Sequence, residues 1–136
     1  MWTKIACWIA VVIMYGPELI LDLHGCNVST FSRKSLRAFG RALCKVIDMT
    51  PHKFRSEPWD DDGVAPEDCQ VKPETKGYTA VQFLMESSIL THTLELTSAA
   101  YINIFSCNDF DRHKAKSFAK KWFGAKQITS RLIKRI

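Results

Sequence analysis

The chain has 136 residues, 46% of them hydrophobic and 24% charged, with six Gly and five Pro; this suits one compact domain and excludes a collagen-like, low-complexity or wholly disordered chain. Five cysteines at scattered positions, with no CxxC pair, argue against a disulfide framework or a zinc site and suit a reducing cytoplasm. The formal net charge of +5 is unevenly spread: Glu57 to Asp68 holds six acidic residues and no basic one, whereas Arg112 to the end holds nine Lys or Arg and no acidic residue.

An apolar run from Ile5 to Met14 follows a single Lys. It is too short for a membrane span, which needs roughly 20 apolar residues. It has the length of a signal-peptide core, but Tyr15, Gly16, Pro17 and Glu18 follow without an A-x-A cleavage site. Residues 1–17 are therefore expected to be an extension without a catalytic role. Met14 as the true start, or an extra strand or helix packed on the domain, stay open. Residues 18–24 (ELILDLH) alternate as a strand does, and Gly25 breaks it. Thr30 or Ser32 can cap a helix whose apolar stripe is Leu36, Phe39, Leu43, Val46 and Ile47. Asp48 to Lys76 contains four prolines and the acidic cluster, so it reads mostly as loop, with at most a strand around Lys53–Trp59. A lid or dimer contact and plain surface filler are equal readings of that loop.

After Gly77 the pattern turns to strands: Thr79–Met85, Ile89–Leu94 and Ala99–Phe105, joined by short connections into an antiparallel meander. Asp109 or Asp111 can cap a helix through Phe123, with Ala115, Phe118, Ala119 and Trp122 as its buried stripe; Gly124 stops it and Gln127–Ile133 reads as a last strand. The class is α+β, one antiparallel sheet with helices on one face, in a single domain over 18–136. The basic C-terminal stretch could draw phosphates. A solvated helix face is the simpler reading, no nucleic-acid-binding motif accompanies the charge, and no nucleic-acid or membrane partner is expected.

The stretch GYTAVQFLMESSILTHTLELTSAAYINIFSC (Gly77–Cys107) carries more. A Glu-Ser pair, Glu86-Ser87, ends a strand; a His-Thr pair follows, with His92 five residues after the Ser; Cys107 lies fifteen beyond that His. Thr79 stands eight positions before Ser87, and ELILDLHGC (Glu18–Cys26) ends on Gly-Cys. Together these resemble the small prokaryotic S-adenosylmethionine decarboxylases, pyruvoyl-dependent enzymes of polyamine synthesis, over about residues 18 to 133. The resemblance implies a four-layer αββα sandwich as a homodimer, with sites near the interface built from both protomers. It implies that Ser87 attacks the Glu86 carbonyl, that His92 takes the Ser87 Cα proton, and that Thr79 supports the ester. Cleavage between 86 and 87 then leaves a pyruvoyl group made from Ser87, with no metal, which holds the substrate as a Schiff base. Cys107 is the implied proton donor in turnover; a thiol suits this because its pKa of about 8.5 lies near working pH.

Three departures bear on that expectation. The residue after the processed Ser is commonly His; here it is Ser88, itself a possible reacting hydroxyl, although the five-residue step to His92 favours Ser87. The usual His-Thr-Trp-Pro-Glu becomes His92-Thr93-Leu94-Glu95-Leu96, so Leu96 stands where a Glu meets the substrate ribose, and Glu95 replaces it only from a turn. The N-terminal extension has no counterpart. Arginine or ornithine therefore remains an alternative substrate, with Glu18, Asp22 and Asp60–Asp62 as partners for a cation; an unprocessed homologue acting as a binding or regulatory protein is the other alternative. Phe54, Trp59, Tyr78 and Phe105 are the candidates for stacking on adenine.

Overall fold

Apolar residues at every second position give each strand one apolar side, and the strands line these sides up in a single sheet. The computed structural model describes residues 15–58 and 76–136. The apolar run Ile5–Met14, the acidic cluster Asp60–Asp68 and Trp59 lie outside the described residues. Six strands, β1 (Gly16–His24), β2 (Pro51–Pro58), β3 (Gly77–Leu84), β4 (Ser87–Leu94), β5 (Ala99–Ser106) and β6 (Gln127–Arg135), pair in the order β2-β3-β4-β5-β1-β6. All five pairings are antiparallel.

Two helices, α1 (Arg33–Val46) and α2 (Arg112–Phe123), cover one face. Leu19, Leu21 and Leu23 of β1, Ile89 of β4 and Ala100, Ile102 and Ile104 of β5 point into that layer and are buried. They meet Leu36, Phe39 and Leu43 of α1 and Ala115, Ala119 and Phe123 of α2 in one core. The α+β class with helices on one face is as the sequence predicts.

The caps resolve as Ser32, whose side chain accepts from Ser35 N at 3.1 Å, and Asp111, which accepts from His113 N and Lys114 N at 3.0 Å each. Gly124 closes α2 in left-handed backbone at φ +59, a conformation glycine adopts without a Cβ penalty. Three boundaries differ from expectation. β1 starts at Gly16, and β2 runs the full length Pro51–Pro58 as an edge strand, where prolines at the ends cost no ladder donor. Phe123, not Phe118 or Trp122, is the buried aromatic of α2. The latter two stand at the helix seam, with rings 6.0 and 5.9 Å from that of Phe39.

The third difference concerns the turn before β4. Met85 and Glu86 alone form it, so Ser87 already pairs with Leu84 as the first residue of β4. The expected three-residue connection, Glu86–Ser88, is thus a two-residue turn that begins one position earlier and leaves Ser87 and Ser88 in the strand. At the other end of the hairpin a Cβ on Gly77 would strike the Thr93 carbonyl oxygen, so only glycine lets β3 approach β4 there.

Candidate active site

Strand register sorts the predicted residues onto the two faces. On the face away from the helices, three rows run across the sheet: Phe83–Ser88–Phe105–Glu18–Ile133, then Val81–Leu90–Asn103–Ile20–Arg131, then Thr79–His92–Tyr101–Asp22–Thr129. Apolar side chains dominate the first two rows: Val81, Leu90, Ile20 and Phe105 are half-buried, and Phe83 and Ile133 are exposed.

One cluster lies at the β3–β4 turn. Glu86 has φ +63, left-handed backbone that costs a side-chain-bearing residue on the order of 1 kcal/mol, and the peptide that follows it is Glu86–Ser87. The Ser87 hydroxyl donates to Ser106 Oγ at 2.8 Å, and Ser106, fully buried, also accepts from Asn108 N. Cys107 stands beside the turn, its thiol donating to Glu86 Oε2 at 3.3 Å. Burial first, then the hydrogen bond and charge of the Glu86 carboxylate, hold that thiol above its ordinary pKa. Cys107 is therefore a protonated thiol at neutral pH.

A second cluster lies at the far end of β4. Thr79 Oγ1 and His92 Nδ1 are 3.0 Å apart. Burial pushes the His92 pKa below 6.5, so the imidazole is neutral and basic at neutral pH. Glu95 begins the β4–β5 turn 3.9 Å from Lys76 Nζ, and Leu96 is 69% exposed at its tip.

These clusters are apart within one chain. Ser87 and His92 share β4 five residues from each other, about 16 Å along a strand and on opposite faces. Ser88, rather than Ser87, shares the His92 face. Of the aromatic candidates, Phe54 and Tyr78 pack against the core on the helix side. That excludes them from the open face and leaves Phe105, which stacks on Tyr15 at 5.4 Å. Glu18 is already paired, accepting from Asn103 Nδ2 at 3.0 Å and Arg135 Nη1 at 2.7 Å, which counts against it as a partner for a cationic substrate. Sequence reasoning missed Ser106 and Tyr101. Alternation alone would have put Ser106 on the face opposite Cys107, but only the register sets it against Ser87 and sets Tyr101 against His92. Among the described residues no three His, Cys, Asp or Glu side chains converge as metal ligands would, and no helix is long and apolar enough to cross a membrane.

Known proteins resemble this chain in sequence and in fold. The model of the S-adenosylmethionine decarboxylase family matches residues 17–136. An S-adenosylmethionine decarboxylase proenzyme of Acidithiobacillus ferrooxidans, represented by two strains, is 25% identical over 127 residues, covering 88% of this chain and 81% of the relative. The crystal structure of the adenosylmethionine decarboxylase from Aquifex aeolicus VF5 superposes with a TM-score of 0.67 at 18% identity, covering 90% of this chain and 91% of that one.

Proposed function

The chain belongs to the S-adenosylmethionine decarboxylase family and is an enzyme, and from that premise we propose that it is a pyruvoyl-dependent decarboxylase of S-adenosylmethionine, activated by cleavage of its own Glu86–Ser87 bond. The observation that carries this reading is the left-handed Glu86 immediately before a hydroxyl residue, with the Cys107 thiol against it.

In that reaction Ser87 Oγ leaves Ser106 and attacks the Glu86 carbonyl carbon; the ester forms and the peptide C–N bond breaks. Loss of the Ser87 Cα proton expels the Glu86 carboxylate, ending one chain at residue 86. The dehydroalanine left on residue 87 takes up water and releases ammonia, which leaves a pyruvoyl group at the head of 87–136. Neutral His92 is the base for the Cα proton, and Thr79 supports the ester. Because His92 stands about 16 Å from Ser87 in its own chain, the base comes from a second copy. A two-fold axis between open sheet faces lays one chain's Glu86–Cys107 end over the other's Thr79–His92 end. Apolar Val81, Leu90, Ile20 and Phe105 suit that face to burial, giving the four-layer αββα homodimer.

When formed, the pyruvoyl carbonyl supplies the electron sink for loss of carbon dioxide. Cys107, kept protonated by burial and by Glu86, delivers the proton to carbon. Phe105 offers its ring to adenine, and Glu95 its carboxylate to the ribose hydroxyls from the turn. The product would feed spermidine synthesis, and the free thiols of Cys26, Cys44 and Cys107 suit a cytoplasmic setting. The exposed Leu96 favours a second reading, the same chemistry on arginine or ornithine, since Leu cannot pair with a diol.

The test is the denatured intact mass followed by carbon dioxide release from each substrate. Two fragments, 1–86 and 87–136 with pyruvoyl in place of Ser87, and release from S-adenosylmethionine are expected. One species of full mass overturns the reading in favour of an unprocessed binding protein. Release from arginine or ornithine alone overturns the substrate.

A further inference from the structure

We infer that the outer surface of the helix layer is a docking surface for nucleic acid, held through its phosphate backbone without base readout. α1 and α2 carry five Lys or Arg each and no acidic residue. All but the half-buried Lys116 are exposed, and none of the ten forms an ion pair among the described residues. The two sets are far apart in the sequence, and the fold joins them. Trp122 Nε1 donates to Ser35 Oγ at 3.2 Å, and the Phe39 ring lies 4.8 Å from that of Phe123.

A solvated helix face does not account for this pattern. Lys45, Lys120 and Lys121 in the last turns complement the helix dipole, but Arg33, Lys34, Arg112 and Lys114 in the first turns oppose it, with no acidic residue in either first turn and the capping Asp111 as a counterweight at α2 alone. Arg33, Arg37 and Arg41 follow at four-residue steps, so like charges face one another along one side of α1, an arrangement that costs stability until an anion fills it. Two hollows on the helix side of the sheet are lined by the same cations. One of about 240 Å³ lies between Arg33, Arg37 and Arg55, beside Phe54 and Ser56. The Ser56 hydroxyl is buried and has no hydrogen-bond partner among the described residues. The other, of about 230 Å³, lies between Arg112, His113 and Lys116.

The absence of exposed large apolar side chains on α1 and α2 favours a soluble polyanion over a membrane for this surface. A helix lying in a lipid interface buries large apolar side chains there. The exposed large hydrophobics among the described residues lie outside α1 and α2. Arginine forks match phosphate oxygens, and repeated phosphates match repeated cations. The layer faces away from the open side of the sheet, so it stays free when two copies pair, and docking does not depend on cleavage at Glu86.

The experiment is fluorescence anisotropy with a labelled 20-nucleotide RNA and a 20-base-pair DNA between 50 and 200 mM KCl. If about four phosphates of a single strand are neutralised, affinity falls about 50-fold across that range. The double variant Arg37→Glu, Arg41→Glu is compared with Lys126→Glu, Lys134→Glu, which changes net charge equally without altering either helix. The expected result is at least tenfold weaker binding and a shallower salt slope for the first pair only, with cleavage and decarboxylation unchanged and a melting temperature no lower than that of the unaltered chain. Equal weakening by both pairs reduces the effect to bulk charge and overturns the inference. So does binding to phosphatidylserine vesicles with none to either nucleic acid, or no binding at all.

Discussion

Glu86 carries backbone strain where the chain is read to cut itself. At φ +63 the side chain costs on the order of 1 kcal/mol, energy released when the Glu86–Ser87 peptide becomes an ester. Glu86→Gly removes the strain, and cleavage followed by mass spectrometry should slow about fivefold, the rate equivalent of that energy; cleavage at the unaltered rate would remove strain from the mechanism. His92 sets a second expectation. Its folded pKa lies below 6.5 because burial disfavours the cation, so cleavage should persist as pH falls past 6.5 and fail only lower. In an uncleaved Ser87→Ala chain, stability should drop as pH falls through 6.5, since the unfolded histidine takes up its proton first, and level off below the folded pKa. A cleavage midpoint at or above 6.5 contradicts this. Cys107→Ala should cleave normally yet lose on the order of 100-fold or more in kcat, measured as carbon dioxide release from the processed protein. Full turnover would reassign the proton donor.

At the scale of the element, the caps were narrowed to pairs by the sequence and settled by geometry. Asp109 and Asp111 both precede α2, and Asp111 is the one whose carboxylate reaches His113 N and Lys114 N. Asp111→Ala should lower the urea midpoint with an unchanged slope; an Asp109→Ala change of the same size would mean the cap is shared. The β3–β4–β5 meander was legible because alternation and short connections are local signals. β2 was nearly missed, because Pro51, Pro58 and the charged residues between them obscure alternation on an edge strand that buries little besides Ser56.

At the scale of the whole molecule, the proposed cleavage calls for a second chain, because Ser87 and His92 lie apart in their own. Ser87→Ala and His92→Ala should each remain uncleaved alone. Expressed together, the His92→Ala chain should be cleaved, because the Ser87→Ala chain supplies its intact His92 across the two-fold axis. No cleavage in the mixture, with mixed dimers verified, would return the base to the same chain and require β4 to rearrange.

The fold class, most strand and helix positions, and the joint spacing of Thr79, Ser87, His92 and Cys107 on which the family resemblance rests were legible in the sequence, because each depends on periodicity or on fixed steps along the chain. The tertiary structure alone decided which face each residue occupies. A one-residue change in where β4 begins moves every side chain to the other side of the sheet, and that start is set by the two-residue turn at Met85 and Glu86. It also decided that Ser106 holds Ser87, that Phe54 and Tyr78 belong to the core, and that the cations of α1 and α2 form one surface. These are contacts across long sequence separations, and only the closed sheet with its helix layer brings them together.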